Sequence, residues 1–136
     1  MPLNHSIPVI DSVFSLTYIR NTGAAFGILA GSAAAFRLPF LVLFSLLAIG
    51  FIFVMLRRLP DKETGLITAL SFILGGAIGN LIDRIVYGEV IDFLDFYWST
   101  YHWPAFNLAD SFITVGVLIT VYYLLQAKGA DPFARE

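Results

Sequence analysis

Two aspartates carry the chemistry this chain could do. Asp92 lies in Val90-Ile91-Asp92-Phe93, and Asp110 lies in Phe106-Asn107-Leu108-Ala109-Asp110, where it opens a long hydrophobic run. A carboxylate beside hydrocarbon costs roughly 3 kcal/mol or more, so its presence asks for a chemical reason. Two carboxylates that converge cannot both ionise readily. They share a proton, and one then serves as base and the other as acid, as in aspartic-type hydrolysis. Asn80 and Arg84 stand four residues apart on a neighbouring apolar stretch and so share one helix face. An amide in such a helix needs partners, and the arginine presents a fixed fork of donors to a carboxylate or carbonyl.

Each residue also has a plainer reading. Asn107 suits the N-cap of a helix, and Asp110 suits its first turn. Asp92 alone could be an exposed strand residue. The Gly75 and Gly79 pair before Asn80 forms a small-xxx-small face on which another helix could pack. Asn21-Thr22-Gly23-Ala24-Ala25-Phe26-Gly27 could be a turn, or a run of small residues that lets an extended peptide approach the backbone. The catalytic reading rests on the combination: two carboxylates, Asn80, Asn107 and Arg84, all expected at one membrane depth.

That depth follows from the elements around them. The chain is 58% hydrophobic and 13% charged, with mean hydropathy +0.81, whereas soluble domains carry about 25% charged residues. Three stretches lack any charge: Leu38 to Leu56, Thr64 to Ile82 and Ser111 to Ala127. Each is close to the roughly 20 residues a spanning helix needs. Arg57, Arg58 and Lys62 between the first two, with Lys128 and Arg135 in the tail, place those segments on the cytoplasmic side. Residues 1–36 and about 84–109 then lie outside, with Asp11, Glu89, Asp92, Asp95 and Asp110. Tyr97, Trp98, Tyr101 and Trp103 accompany them as an interfacial aromatic belt.

The outer segments read as strand. Val13 to Ile19 is β-branched and aromatic and stops at Asn21-Thr22-Gly23. Val90 to Tyr97 alternates, which puts Asp92 on a face with Val90, Leu94 and Phe96. The expected fold is membrane α-helical, with three transmembrane helices at about 37–57, 64–86 and 108–127 and a small outer β-sheet. Residues 1–36 form its β-rich outer segment and 87–107 its outer loop, within a single membrane-embedded domain over 1–136. With a cytoplasmic C-terminus, three helices leave residues 1–36 outside with nothing to lead them across, so a preceding span is expected to be missing.

Other function classes find no support. There is no cysteine, hence no disulfide, thiolate site or cysteine nucleophile. The net charge of −2 and the lack of a basic stripe exclude nucleic acid as a partner. His5 and His102 are too few and too isolated to suggest a metal site. No HExxH, GxSxG or phosphate loop occurs.

Four blocks together resemble the lipoprotein signal peptidase family, also called signal peptidase II: Asn21 to Gly27, Gly75 to Arg84, Val90 to Phe93, and Phe106 to Ser111. In this order they are specific and cover nearly the whole chain. The resemblance implies an aspartic endopeptidase of the bacterial inner membrane, with four helices, a small surface sheet and a short periplasmic helix. Such enzymes remove signal peptides from prolipoproteins by cutting before a diacylglyceryl-modified cysteine. By position, Asp92 and Asp110 match the catalytic pair. Asn21, Asn80, Arg84 and Asn107 match the polar residues that engage substrate, with Asp83 in support. The resemblance implies no metal or organic cofactor. Its partners would be prolipoproteins and membrane lipid, the enzyme would act as a monomer, and the active site would face the periplasm. The family's first transmembrane helix has no counterpart here. The alternatives are a non-catalytic scaffold or inactive truncated relative, and a small proton-coupled transporter. The transporter would need acidic residues near mid-span, and all three spans lack them.

Overall fold

The computed structural model describes residues 1–23, 29, 31 and 33–126. The chain divides into two compact units, one of Met1–Leu43 with Ile82–Asn107, the other of Phe44–Leu81 with the chain from Leu108 onward.

The first unit carries a four-stranded antiparallel sheet in the order β1-β2-β3-β4: β1 Ser6–Ile10, β2 Phe14–Asn21, β3 Val90–Trp98 and β4 Tyr101–His102. β2 and β3 fall where alternation and β-branching indicate. β1 and β4 have weaker signals. β1 carries Pro8, which lacks an amide hydrogen and is tolerated because this strand lies at the sheet edge. A tight turn with Ser12 at φ 64° joins β1 to β2, and Val13 N donates to Ile10 O at 3.1 Å. The hydroxyls of the paired Ser6 and Thr17 meet at 2.6 Å across the two strands.

The alternation expected along β3 is corrected by the structure. Val90 and Asp92 are buried as expected, but Phe96 is 43% exposed and the next buried residue is Asp95. The cause is a β-bulge. Phe93 N and Leu94 N both donate to Phe106 O, at 3.0 and 2.8 Å, so two residues of β3 oppose one residue of the returning chain. The extra residue reverses the phase of everything after it. A second irregularity, between Leu16 and Ile19, lets β2 follow β3 through this bend.

Among the described residues three helices are long and apolar enough to cross a membrane: α1 Ala34–Arg58, α2 Thr64–Tyr87 and α3 Leu108–Gln126. Their side chains are exposed in a way water would penalise. Phe44, Leu47, Phe51, Leu118 and Leu125 are each more than 60% exposed. Hydrocarbon is the solvent that such a surface suits. In the second unit α1 and α2 meet around Leu59, Leu66 and Leu70, against which Ile52, Met55, Leu56, Ile67 and Ile73 pack. Arg57, Arg58 and Lys62 flank this junction, while Lys128 and Arg135 lie outside the described residues.

α2 and α3 approach through glycines. A Cβ at Gly76 would meet the Ala109 carbonyl oxygen and, at 2.7 Å, Ile113 Cγ1. A Cβ at Gly116 would meet the Ala69 carbonyl oxygen at 2.5 Å. The small face therefore differs from the expected Gly75 and Gly79 pair. Gly79 takes part, with Ala109 Cβ at 3.3 Å, but a Cβ at Gly75 would meet nothing within 4 Å. The helix is turned so that the face of Gly76 and Asn80, one turn apart, looks at α3. Phe72 and Phe112 close the same seam edge to face, with ring centroids 5.1 Å apart.

Candidate active site

The first unit assembles its polar cluster around the end of α2. That helix stops at Tyr87 because Gly88 takes φ +75°, a left-handed conformation open to glycine, while Gly88 N donates to Arg84 O at 3.0 Å. The turn sends the chain directly into β3. Asp83 then accepts a hydrogen bond from Ile91 N at 3.1 Å, which ties the start of the strand to the helix it has just left.

One residue further on, Asp92 is 2% exposed. Each of its oxygens is taken by a side-chain amide: Asn21 Nδ2 donates to Oδ2 at 3.1 Å, and Asn107 Nδ2 donates to Oδ1 at 3.0 Å. Asn21 cannot easily turn over, because its own Oδ1 accepts from Gly23 N at 2.9 Å in a local asparagine turn. That turn begins the Asn21 to Gly27 block, of which residues 24–27 lie outside the described residues. Arg84 Nη2 reaches Gly23 O at 3.4 Å, so the arginine addresses the same turn. The two amides fix the orientation of the Asp92 carboxylate.

The second unit places Asn80 against Asp110, with Asn80 Nδ2 donating to Oδ1 at 2.8 Å. Asn80 is 8% exposed, and this bond answers the need of an amide inside an apolar helix. Asp110 sits in the first turn of α3, and Asn107 immediately precedes that helix. The capping reading therefore describes where these two residues stand, and the side-chain bonds to Asp92 and from Asn80 add to it.

Two features escaped the sequence. Asp95 and His102 form a close pair, and Gly76 shapes the seam on which Asn80 rides. The first is non-local, and alternation assigned Asp95 to the wrong face. The second depends on helix rotation. At the sheet margin, exposed Arg20 lies 3.9 Å from Glu89 and donates from Nε to the Tyr18 hydroxyl at 3.0 Å. Its guanidinium is held above its ordinary pKa first by that hydrogen bond and then by the charge of Tyr18. Among the described residues no group of three His, Cys, Asp or Glu side chains is placed to hold a metal ion.

Residues 1–126 match the family described as signal peptidase (SPase) II. A lipoprotein signal peptidase of Geobacter sulfurreducens is 58% identical over 128 residues, spanning 94% of this chain and 79% of that relative. One from Syntrophus aciditrophicus is 50% identical over 126 residues, spanning 93% and 78%. A bacterial membrane enzyme solved by the in meso method at 2.3 Å resolution superposes with TM-score 0.82 at 33% identity, covering 95% of this chain and 76% of that one. A second such enzyme, at 1.9 Å resolution, gives TM-score 0.76 at 34% identity, covering 93% and 78%.

Proposed function

The chain belongs to the signal peptidase II family, and from that premise we propose that it is an aspartic endopeptidase that frees diacylglyceryl-modified prolipoproteins of their signal peptides, with Asp92 and Asp110 as its catalytic pair. The observation that carries the reading is Asp92 itself. A carboxylate 2% exposed and held by one amide on each oxygen is costly to maintain for structure alone. Asp110 is half-buried, and Asn80 donates to one of its oxygens. In this proposal the whole chain works as one membrane-embedded peptidase unit, as a monomer in the bacterial inner membrane with its site facing the periplasm.

The reaction needs no group beyond these side chains and a water. One carboxyl is ionised and its partner protonated. The ionised member accepts a proton from water as the water oxygen attacks the scissile carbonyl carbon, and the protonated member gives its proton to the carbonyl oxygen. Collapse of the tetrahedral intermediate breaks the C–N bond as the amide nitrogen takes up a proton, and the shared proton is restored. Arg84 and Asn80 hold substrate carbonyls or orient the carboxylates. Asn21 and Asn107 keep Asp92 turned toward the reacting centre, and Asp83 braces the strand. The substrate's acyl chains stay among the apolar helix surfaces, in the bilayer they already occupy.

The test is cleavage of a diacylglyceryl-cysteine prolipoprotein peptide by the purified protein in detergent, read by mass spectrometry. The expected product begins at the lipidated cysteine, and the unmodified peptide stays uncut. Retained binding without any cleavage would replace the peptidase with the scaffold reading. The same assay run across pH is expected to give a bell-shaped rate. Activity falls on the acid side as the base becomes protonated and on the alkaline side as the acid loses its proton. A rate rising monotonically with pH would contradict a proton shared by two carboxyls.

A further inference from the structure

Asp95 is the second buried carboxylate of β3, 6% exposed, and the reaction does not use it. Among the described residues its side-chain partner is His102, whose Nδ1 lies 2.9 Å from Oδ1 and 3.0 Å from Oδ2. A carboxylate can only accept, so Nδ1 carries the hydrogen. The imidazole also lies flat on Tyr97, its partner in strand register, with ring centroids 4.9 Å apart and planes 13° from parallel. His102 is thereby held from two directions at the neck of the β3–β4 hairpin.

The hairpin needs such a hold because its backbone ladder is short. β4 is two residues long, and only Tyr97↔His102 and Trp98↔Tyr101 are in register. The turn passes through Ser99 at φ 56°. Beyond His102 the chain runs back along β3 irregularly. Trp103 N donates to Phe96 O at 2.8 Å, Pro104 has no amide hydrogen to give, and Phe106 closes the bulge on Phe93 and Leu94. Phe106 also stacks on Phe96, with centroids 5.9 Å apart. The next residue is Asn107, whose amide takes Asp92 Oδ1. A slip of one residue in this returning strand would carry Asn107 about 3.4 Å along and turn its side chain to the opposite face.

We propose that Asp95 and His102 form a register clamp on this hairpin, positioning Asn107 against Asp92. Both act through Asn107 and touch no substrate. The inference rests on the peptidase reading for its catalytic consequence, while the clamp itself is a property of the fold.

The experiment compares wild type with His102→Ala, His102→Asn, Asn107→Ala and the His102→Ala/Asn107→Ala double variant. In His102→Ala, hydrogen exchange at the Phe93, Leu94 and Phe106 amides is expected to quicken about tenfold or more, with the β1 and β2 amides unchanged. Turnover of the lipidated peptide falls about tenfold to a hundredfold at nearly constant KM, as expected when a catalytic group is misplaced by a fraction of its reach. His102→Asn keeps a donor near the position of Nδ1 and recovers both readouts. The double variant is no slower than Asn107→Ala alone, because the clamp and the amide lie on one route. Unchanged exchange overturns the clamp. Quickened exchange with full turnover, or losses that simply multiply in the double variant, overturns the route through Asn107. A wild type that binds peptide without cutting it would defeat the peptidase reading, and the exchange arm would still decide the clamp.

Discussion

Asp92→Asn and Asp110→Asn are each expected to lower turnover of a lipidated prolipoprotein peptide by about 10²–10⁴-fold while leaving a folded, helical protein, because each removes one half of the proposed acid–base exchange. The substitution is nearly isosteric, and the surroundings accept it. At position 92 the new amide oxygen can face Asn21, whose orientation is pinned by its bond from Gly23 N, and the new NH2 group then faces Asn107. At position 110 the remaining oxygen still accepts from Asn80. The stability cost is therefore that of one altered hydrogen bond, about 1 kcal/mol. Circular dichroism should match wild type and detergent unfolding should shift by no more than that cost, while peptide cleavage falls by the stated factor. Wild-type turnover in either variant ends the assignment of that aspartate.

The second large effect concerns a residue far less conspicuous in the sequence. Gly76→Leu is expected to destabilise the protein by about 1–3 kcal/mol or more, since the new side chain has nowhere to go. Its Cβ would meet the carbonyl oxygen of Ala109, and a helix backbone cannot step aside as a side-chain tip can. α2 and α3 must separate, and the 2.8 Å bond from Asn80 to Asp110, one turn away, is lost with the seam. Cleavage should fall along with stability. Gly75→Ala is the matched control. Its Cβ meets nothing within 4 Å, so alanine there should be neutral or gain up to about 1 kcal/mol of helix propensity. Equal damage from both substitutions, measured by unfolding in detergent, would show that the seam does not run along the Gly76 face.

Asp95 extends the same logic to the sheet. Of the two buried carboxylates on β3, the proposed chemistry uses one and the proposed clamp the other, and the bulge at Phe93 and Leu94 is what allows both to be buried three residues apart. Strict alternation would have exposed one of them.

Much of this protein is written locally in its sequence. Three charge-free stretches are enough to determine three membrane-length helices, because hydrophobic run length against bilayer thickness is a property of the segment alone. β-Branching and alternation located β2 and β3. Asp92, Asp110 and the asparagines could be named as chemically odd in their setting without any coordinates. Only the tertiary structure decided which amide serves which carboxylate, because Asn21 and Asp92 lie far apart in the chain and meet through strand pairing. It also decided that Gly76 and not Gly75 faces α3, a matter of helix rotation set by the neighbour. The bulge and the Asp95–His102 pair belong to the same class. They arise where two segments compete for one register, and no single stretch of sequence contains that competition.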